Sequence, residues 1–114
     1  NIKLCFITTT SLNNINSIKN TLSESIDFSK FTLITSLNDI KKPKPNSEIY
    51  SYALKKLNLK AEEVYAIEDT ISNKNAALNV GITCYLYPGE YAMVDSDDNL
   101  TYEIEKKISS LIKN

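Results

Sequence analysis

Two short polar segments carry the residue types that a phosphate site with a metal ion requires. The first, 42–46 (KPKPN), precedes a helix-like stretch, and the second, 67–70 (IEDT), ends an apolar run. Two adjacent carboxylates, here Glu68 and Asp69, repel each other unless a cation compensates their charge. Mg²⁺ is a suitable cation, because it binds through one or two carboxylates, water and substrate phosphate. In the alternative interpretation, Asp69 or Thr70 only caps the helix that follows.

Lys42 is the lysine that we place at this site. Because Pro43 follows it, helical geometry is disfavoured at Lys42, which stays in the loop. From that loop its ammonium group can bridge a phosphate and the acidic pair as a point charge. The alternative is that Lys42 is a solvated lysine between Lys41 and Lys44.

Thr8, Thr9 and Thr10 follow an early apolar run and offer hydroxyls and backbone N–H groups at a strand-to-helix turn. Such groups form a ready cradle for phosphate oxygens. The alternative is a β-branched strand end followed by a helix cap.

The spacing of apolar residues predicts strands that alternate with helices. Strands are expected at 3–8, 31–35, 64–67 and 83–87. Helices are expected from 11–14 through Ile26, from Asn46 or Ser47 through Leu57, at 72–80 with Gly81 as terminator, and at 102–112. This alternation is typical of an α/β fold with a mainly parallel sheet, whose ligands bind beyond the carboxyl ends of the strands. The four candidate residues, Thr8, Lys42, Glu68 and Asp69, are therefore expected at one edge.

Composition excludes several other functions. The 114 residues suit one domain, and a net charge of −1 without any arginine gives no reason to expect nucleic acid or an anionic membrane as partner. There is no histidine, so histidine-based catalysis and histidine metal ligands are excluded. No apolar run approaches the roughly 20 residues that span a bilayer. Cys5 and Cys84 lie in strand-like runs, so we expect buried free thiols in a cytoplasmic protein. The alternative is a disulfide between them.

Taken in order, these segments resemble motifs of the haloacid dehalogenase-like (HAD) superfamily of phosphohydrolases, in the branch of phosphoglycolate phosphatase and β-phosphoglucomutase. The matching segments are 3–10 (KLCFITTT), 42–50 (KPKPNSEIY), 64–70 (VYAIEDT) and the helix 76–81 (AALNVG). The resemblance implies a three-layer Rossmann-like core with a mainly parallel sheet. Residues 1–114 would be the C-terminal, partial core domain, without a cap.

The resemblance also implies roles for the candidate residues. Thr8, helped by the Thr9 N–H, would hydrogen-bond the phosphoryl group, and Lys42 would neutralise its charge. Glu68 and Asp69 would hold Mg²⁺. The reaction would be that of a phosphatase or phosphomutase that acts through an aspartyl-phosphate on a small phosphorylated metabolite.

One motif of the superfamily is missing from the pattern. An Asp-x-Asp motif, whose first Asp is the nucleophile, lies in the superfamily on a central strand between the Thr strand and the acidic strand. The aspartates outside the acidic pair stand in the wrong order or context to replace it: Asp27, Asp39, Asp95, Asp97 and Asp98. We therefore expect the isolated chain to be inactive.

Three arrangements of the sheet are open. An N-terminal segment supplies the missing strand, a second chain supplies it, or the Thr8 strand closes against the acidic strand. The alternative functions are a non-catalytic phosphate- and Mg²⁺-binding or regulatory module, and an interaction domain that retains the motifs as relics.

Overall fold

The computed structural model describes residues 2–87, and within them strands alternate with helices as the apolar pattern predicts. The strands are β1 (Leu4–Phe6), β2 (Phe31–Ile34), β3 (Tyr65–Glu68) and β4 (Thr83–Leu86). The helices are α1 (Leu12–Leu22), α2 (Glu48–Leu57) and α3 (Ile71–Leu78). This confirms the α/β class. The helix expected at 102–112 lies outside the described residues.

The strands form two separate parallel pairs. β1 pairs with β2, where Cys5 lies opposite Leu33, and β3 pairs with β4, where Ile67 lies opposite Tyr85. Among residues 2–87, no ladder joins β1 to β3. Of the three arrangements left open by the sequence, closure of β1 against β3 is therefore not the one that the structure adopts. Within residues 2–87 the strands thus form two separate two-stranded sheets.

Side-chain oxygens cap the N-termini of the three helices within residues 2–87. The Ser11 hydroxyl accepts a hydrogen bond from the N–H of the third residue of α1, and the Asn46 side chain accepts one from the first residue of α2. Thr70 does the same for α3, at 3.2 Å from the Asn73 nitrogen. These contacts satisfy donors that have no partner inside a helix. Ser47 stands at the cap position of α2, but its side chain makes no cap hydrogen bond.

The end of α1 differs from the expectation. The helix stops at Leu22, and Ile26 lies beyond it, with its N–H bonded to the Leu22 carbonyl oxygen at 2.8 Å. The prediction that α1 continues through Ile26 is therefore wrong. Ile26 follows Leu22 by four residues, as in a helix, but residues 23–25 form a turn. α3 is followed as expected by Gly81, whose φ of +87° is a conformation that glycine adopts without strain.

The core lies where α2 and α3 cover the β3–β4 pair. Ile49 of α2 and Ala76 and Ala77 of α3 are fully buried, and Cys84 of β4 is nearly so. The small alanines let α3 approach the sheet closely. Cys84 and the half-buried Cys5 are both free thiols, as expected. Within residues 2–87, no helix is long and apolar enough to cross a membrane.

Candidate functional site

The carboxyl ends of β1 and β3 meet at one lysine. The Lys44 Nζ donates hydrogen bonds to the Ile7 carbonyl oxygen at 2.9 Å and to Glu68 Oε2 at 2.7 Å. Its side chain is only 11% exposed. Ile7 directly precedes Thr8, and Glu68 is the last residue of β3. The Lys44 ammonium group therefore lies between the two strand pairs, at the edge where ligands bind in parallel sheets.

Glu68 is a buried carboxylate with two donors on the same oxygen. Besides Lys44, the Tyr50 hydroxyl donates to Oε2, and the Lys44 Nζ lies 5.6 Å from the centroid of the Tyr50 ring. Burial raises the pKa of Tyr50 well above its usual range, and the hydrogen bond to Glu68 raises it further. Tyr50 is thus a neutral donor. A buried carboxylate needs such partners, because desolvation disfavours an uncompensated charge.

Asp69 lies directly after β3 and is exposed. The sequence left open whether Asp69 or Thr70 caps α3, and the structure shows that Thr70 is the cap. The helix therefore does not require the Asp69 carboxylate. Two adjacent carboxylates at a strand end fit the chemistry of Mg²⁺, which takes one or two carboxylates and completes its shell with water or phosphate. Residues 2–87 contain no cluster of three or more side chains able to hold a metal ion. An ion bound here would therefore take its remaining ligands from water or phosphate.

Thr8 is held by a second threonine. Its N–H donates to Thr35 Oγ1 at 2.8 Å, and Thr35 Oγ1 donates back to the Thr8 carbonyl oxygen at 2.8 Å. The Thr8 hydroxyl accepts a hydrogen bond from the Thr10 N–H at 3.2 Å. A hydroxyl that accepts one bond still has its own proton to donate, which is what a phosphate oxygen requires.

Lys42 lies in the loop before α2, with an exposed side chain. Its backbone N–H, together with that of Lys41, donates to Glu48 Oε2 at 2.9 and 2.6 Å respectively. These two bonds hold the pKa of Glu48 below its usual value, and the bond from Lys42 has the larger effect. The structure thus fixes the backbone at Lys42, while the lysine that contacts Glu68 is Lys44. The phosphoryl-neutralising role of Lys42 stays a prediction.

Sequence reasoning missed three residues at this site. Lys44 had the same signal as Lys42, since each precedes a proline in the segment KPKP, and only the fold distinguishes them. Tyr50 has the helical spacing of a core residue on α2 and is buried, but that spacing gives no sign of a hydroxyl contact. Thr35 was assigned to a strand end. A threonine at the end of a buried strand is a weak signal for a backbone partner.

Comparison with known proteins adds independent findings. Residues 1–87 match the model of the haloacid dehalogenase-like hydrolase family. The chain is 30% identical over 89 residues to YhcW of Bacillus subtilis (strain 168), a protein named as a candidate phosphatase, covering 75% of this chain and 40% of that protein. It is 31% identical over 90 residues to Protein CbbY of Cereibacter sphaeroides, covering 79% of this chain and 39% of that protein.

Solved structures agree with these relatives. Crystal structures of CbbY from Rhodobacter sphaeroides, one in complex with phosphate and one of a mutant in complex with xylulose-(1,5)bisphosphate, match with a TM-score of 0.71 and 29% identity. The match covers 83% of this chain and 42% of that chain. The chain therefore spans about 40% of the length of the curated relatives that it matches.

Proposed function

Because this chain belongs to the haloacid dehalogenase-like hydrolase family, we propose that it supplies the phosphate- and cation-binding part of a Mg²⁺-dependent phosphatase or phosphomutase site. The observation that carries the proposal is the Lys44 bridge, which holds the carboxyl end of β1, next to Thr8, beside the carboxylate of Glu68. The bridge supports the proposal because the residues that we assign to phosphate and to the cation then lie at one edge.

In this proposal Thr8 and Thr9 bind the phosphoryl group. The Thr8 hydroxyl and the Thr9 N–H lie between β1 and α1, where such donors can bind phosphate oxygens. Lys42 neutralises charge on the phosphoryl group from the loop before α2. The hydrogen bonds between Thr35 and the Thr8 main chain hold the donor set in place before the substrate arrives.

Glu68 and Asp69 would hold the metal ion. Both are hard oxygen ligands, and Glu68 is already oriented by two donors on Oε2. A bound ion would neutralise charge on the phosphoryl group. The residues present fit Mg²⁺ as a partial shell, and we expect weak binding by this chain alone.

The substrate that we propose is a small phosphorylated metabolite. Support comes from CbbY, whose structures are complexes with phosphate and with a sugar bisphosphate. The aspartyl-phosphate would form on a strand that lies between β1 and β3 and comes from an N-terminal segment or a second chain. The free thiols of Cys5 and Cys84 favour the reducing cytoplasm as the compartment.

Two measurements on the 114-residue chain test this function. We expect no Mg²⁺-dependent hydrolysis of p-nitrophenyl phosphate, because the nucleophile is missing. Calorimetry should detect weak Mg²⁺ binding that Asp69→Asn weakens further. Turnover that disappears in Glu68→Ala would contradict the proposed inactivity, and tight Mg²⁺ binding unchanged by Asp69→Asn would contradict the metal assignment.

The coding sequence upstream of Asn1 tests the origin of the central strand. An apolar strand that ends in Asp-x-Asp there would support the enzyme. A start codon directly upstream would leave a second chain as the source of that strand, or a binding module without turnover.

A further inference from the structure

The carboxylate that we assign to Mg²⁺ already holds a cation. The Lys44 Nζ contacts Glu68 Oε2 at 2.7 Å, and the exposed fractions of the two side chains are 11% and 8%. Both partners of the contact are therefore largely shielded from solvent. A shielded pair is screened much less by salt than a surface pair, so the attraction between its charges is weakened less.

This pair compensates Glu68 when no metal ion is bound. The Tyr50 hydroxyl supplies a hydrogen bond but no charge, so the ammonium group of Lys44 is the positive partner of this carboxylate. A divalent ion that binds Glu68 would meet that ammonium group at short range. Two cations close together in a poorly solvated site repel each other strongly.

We propose that Lys44 is a tethered cation that competes with Mg²⁺ for Glu68 and thereby sets the affinity of the site for the ion. This inference rests on the proposed function, since it takes Glu68 as a metal ligand. The flexible four-carbon stem of lysine lets the ammonium group withdraw when Mg²⁺ binds. Withdrawal breaks the ion pair, and that loss is subtracted from the binding free energy of Mg²⁺.

The test is calorimetric titration of MgCl₂ into the 114-residue chain and its variants. Lys44→Met removes the competing charge and retains most of the apolar stem. We expect its Kd for Mg²⁺ to be at least about tenfold lower than that of the original chain. Lys41→Met is the matched control, because Lys41 is exposed and the net charge changes equally. Its Kd should change by no more than about twofold, as for a screened surface charge.

Two further variants separate charge from folding. Lys44→Arg keeps the positive charge and should bind Mg²⁺ as weakly as the original chain. If Lys44→Met does not fold, Lys44→Gln replaces it, since the amide still donates to Glu68 without a charge. Thermal melts add a second readout: Mg²⁺ should raise the melting temperature of the uncharged variant more than that of the original chain.

Each outcome decides the inference. Tighter Mg²⁺ binding in the uncharged variant alone supports competition. Equal or weaker binding in that variant overturns this inference, while the metal assignment stands. If neither the original chain nor the uncharged variant binds Mg²⁺, the metal assignment of the proposed function fails together with the inference.

Discussion

Thr35 Oγ1 makes two hydrogen bonds with the main chain of Thr8: it accepts from the Thr8 N–H and donates to the Thr8 carbonyl oxygen, each at 2.8 Å. Thr35 is fully buried. Thr8 lies beyond β1, where the ladder to β2 has ended. The Thr35 hydroxyl therefore supplies the hydrogen bonds that a neighbouring strand supplies along the ladder. One buried hydroxyl thus satisfies both backbone groups of the residue that we assign to phosphate.

We expect Thr35→Val to destabilise the chain by about 1–3 kcal/mol. Valine fills the same volume but has no hydroxyl, so the N–H and the carbonyl oxygen of Thr8 both lose their partner. Urea unfolding followed by circular dichroism measures the change. The amide resonance of Thr8 should also shift, because its hydrogen bond is lost.

Two variants control for shape. Thr35→Ser keeps the hydroxyl and loses one methyl group, which costs roughly 0.8 kcal/mol. Thr32→Val makes the same change at an exposed position of β2, the strand that Thr35 directly follows, and should change little. A Thr35→Val variant as stable as Thr32→Val would show that the two bonds to Thr8 do not contribute.

Tyr50→Phe tests the second donor to Glu68. The variant removes a hydroxyl that donates to a buried carboxylate, and a lost bond to a charged group costs about 1.5–3 kcal/mol. Tyr52→Phe is the matched control on the same helix, because the Tyr52 hydroxyl donates to the half-buried Asp39 at 3.1 Å. Its cost should be about 1 kcal/mol or less, because water can replace the lost donor at the more exposed Asp39 carboxylate. Equal costs in thermal or urea unfolding would contradict the expectation that the bond to the buried Glu68 contributes more stability than the bond to Asp39.

The local structure was predictable because its causes are local. Apolar runs of four to eight residues predict the strands, and capping residues predict where helices begin, as Ser11 and Thr70 show. The one clear error, Ile26, follows the same logic. Its spacing from Leu22 is helical, but a turn breaks the helix between them, and spacing alone cannot detect that turn.

The site was predictable only as a set of segments. Which lysine of KPKP reaches Glu68 depends on the path of the loop, and that path is fixed by the Glu48 carboxylate, which lies in the next helix. Tyr50 has the pattern of a core residue and is one, yet its hydroxyl end is polar and finds Glu68. Contacts of particular side chains with other segments decide both cases, and periodicity does not encode them.

The two thiols should react slowly while the chain is folded. Burial raises the pKa of Cys84, and the nearby charge of Glu68 raises it further. Burial also raises the pKa of Cys5. Since the thiolate is the reactive form, we expect alkylation by iodoacetamide near pH 8 to be at least about tenfold slower in the folded chain than in urea. Cys5→Ala and Cys84→Ala assign the rates, and a Cys84 rate equal to that in urea would contradict its burial.

The Glu48 carboxylate should make stability depend on pH in a defined direction. The N–H groups of Lys42 and Lys41 lower the pKa of Glu48 below its ordinary value of 4.5. In the range between the lowered and the ordinary pKa, the unfolded chain binds more protons, so stability rises with pH. The contribution is complete above about 4.5 and is lost as the pH falls through the lowered pKa.

Urea unfolding of the original chain and of Glu48→Gln between about pH 7 and pH 3 measures this contribution. We expect Glu48→Gln to be the less stable of the two at neutral pH, and the difference to shrink as the solution becomes acidic. Glu62→Gln removes the same charge at an exposed position and therefore corrects for the general titration of carboxylates. A difference for Glu48→Gln that stays constant across this range would mean that the bonds from Lys41 and Lys42 do not depend on the charge of Glu48.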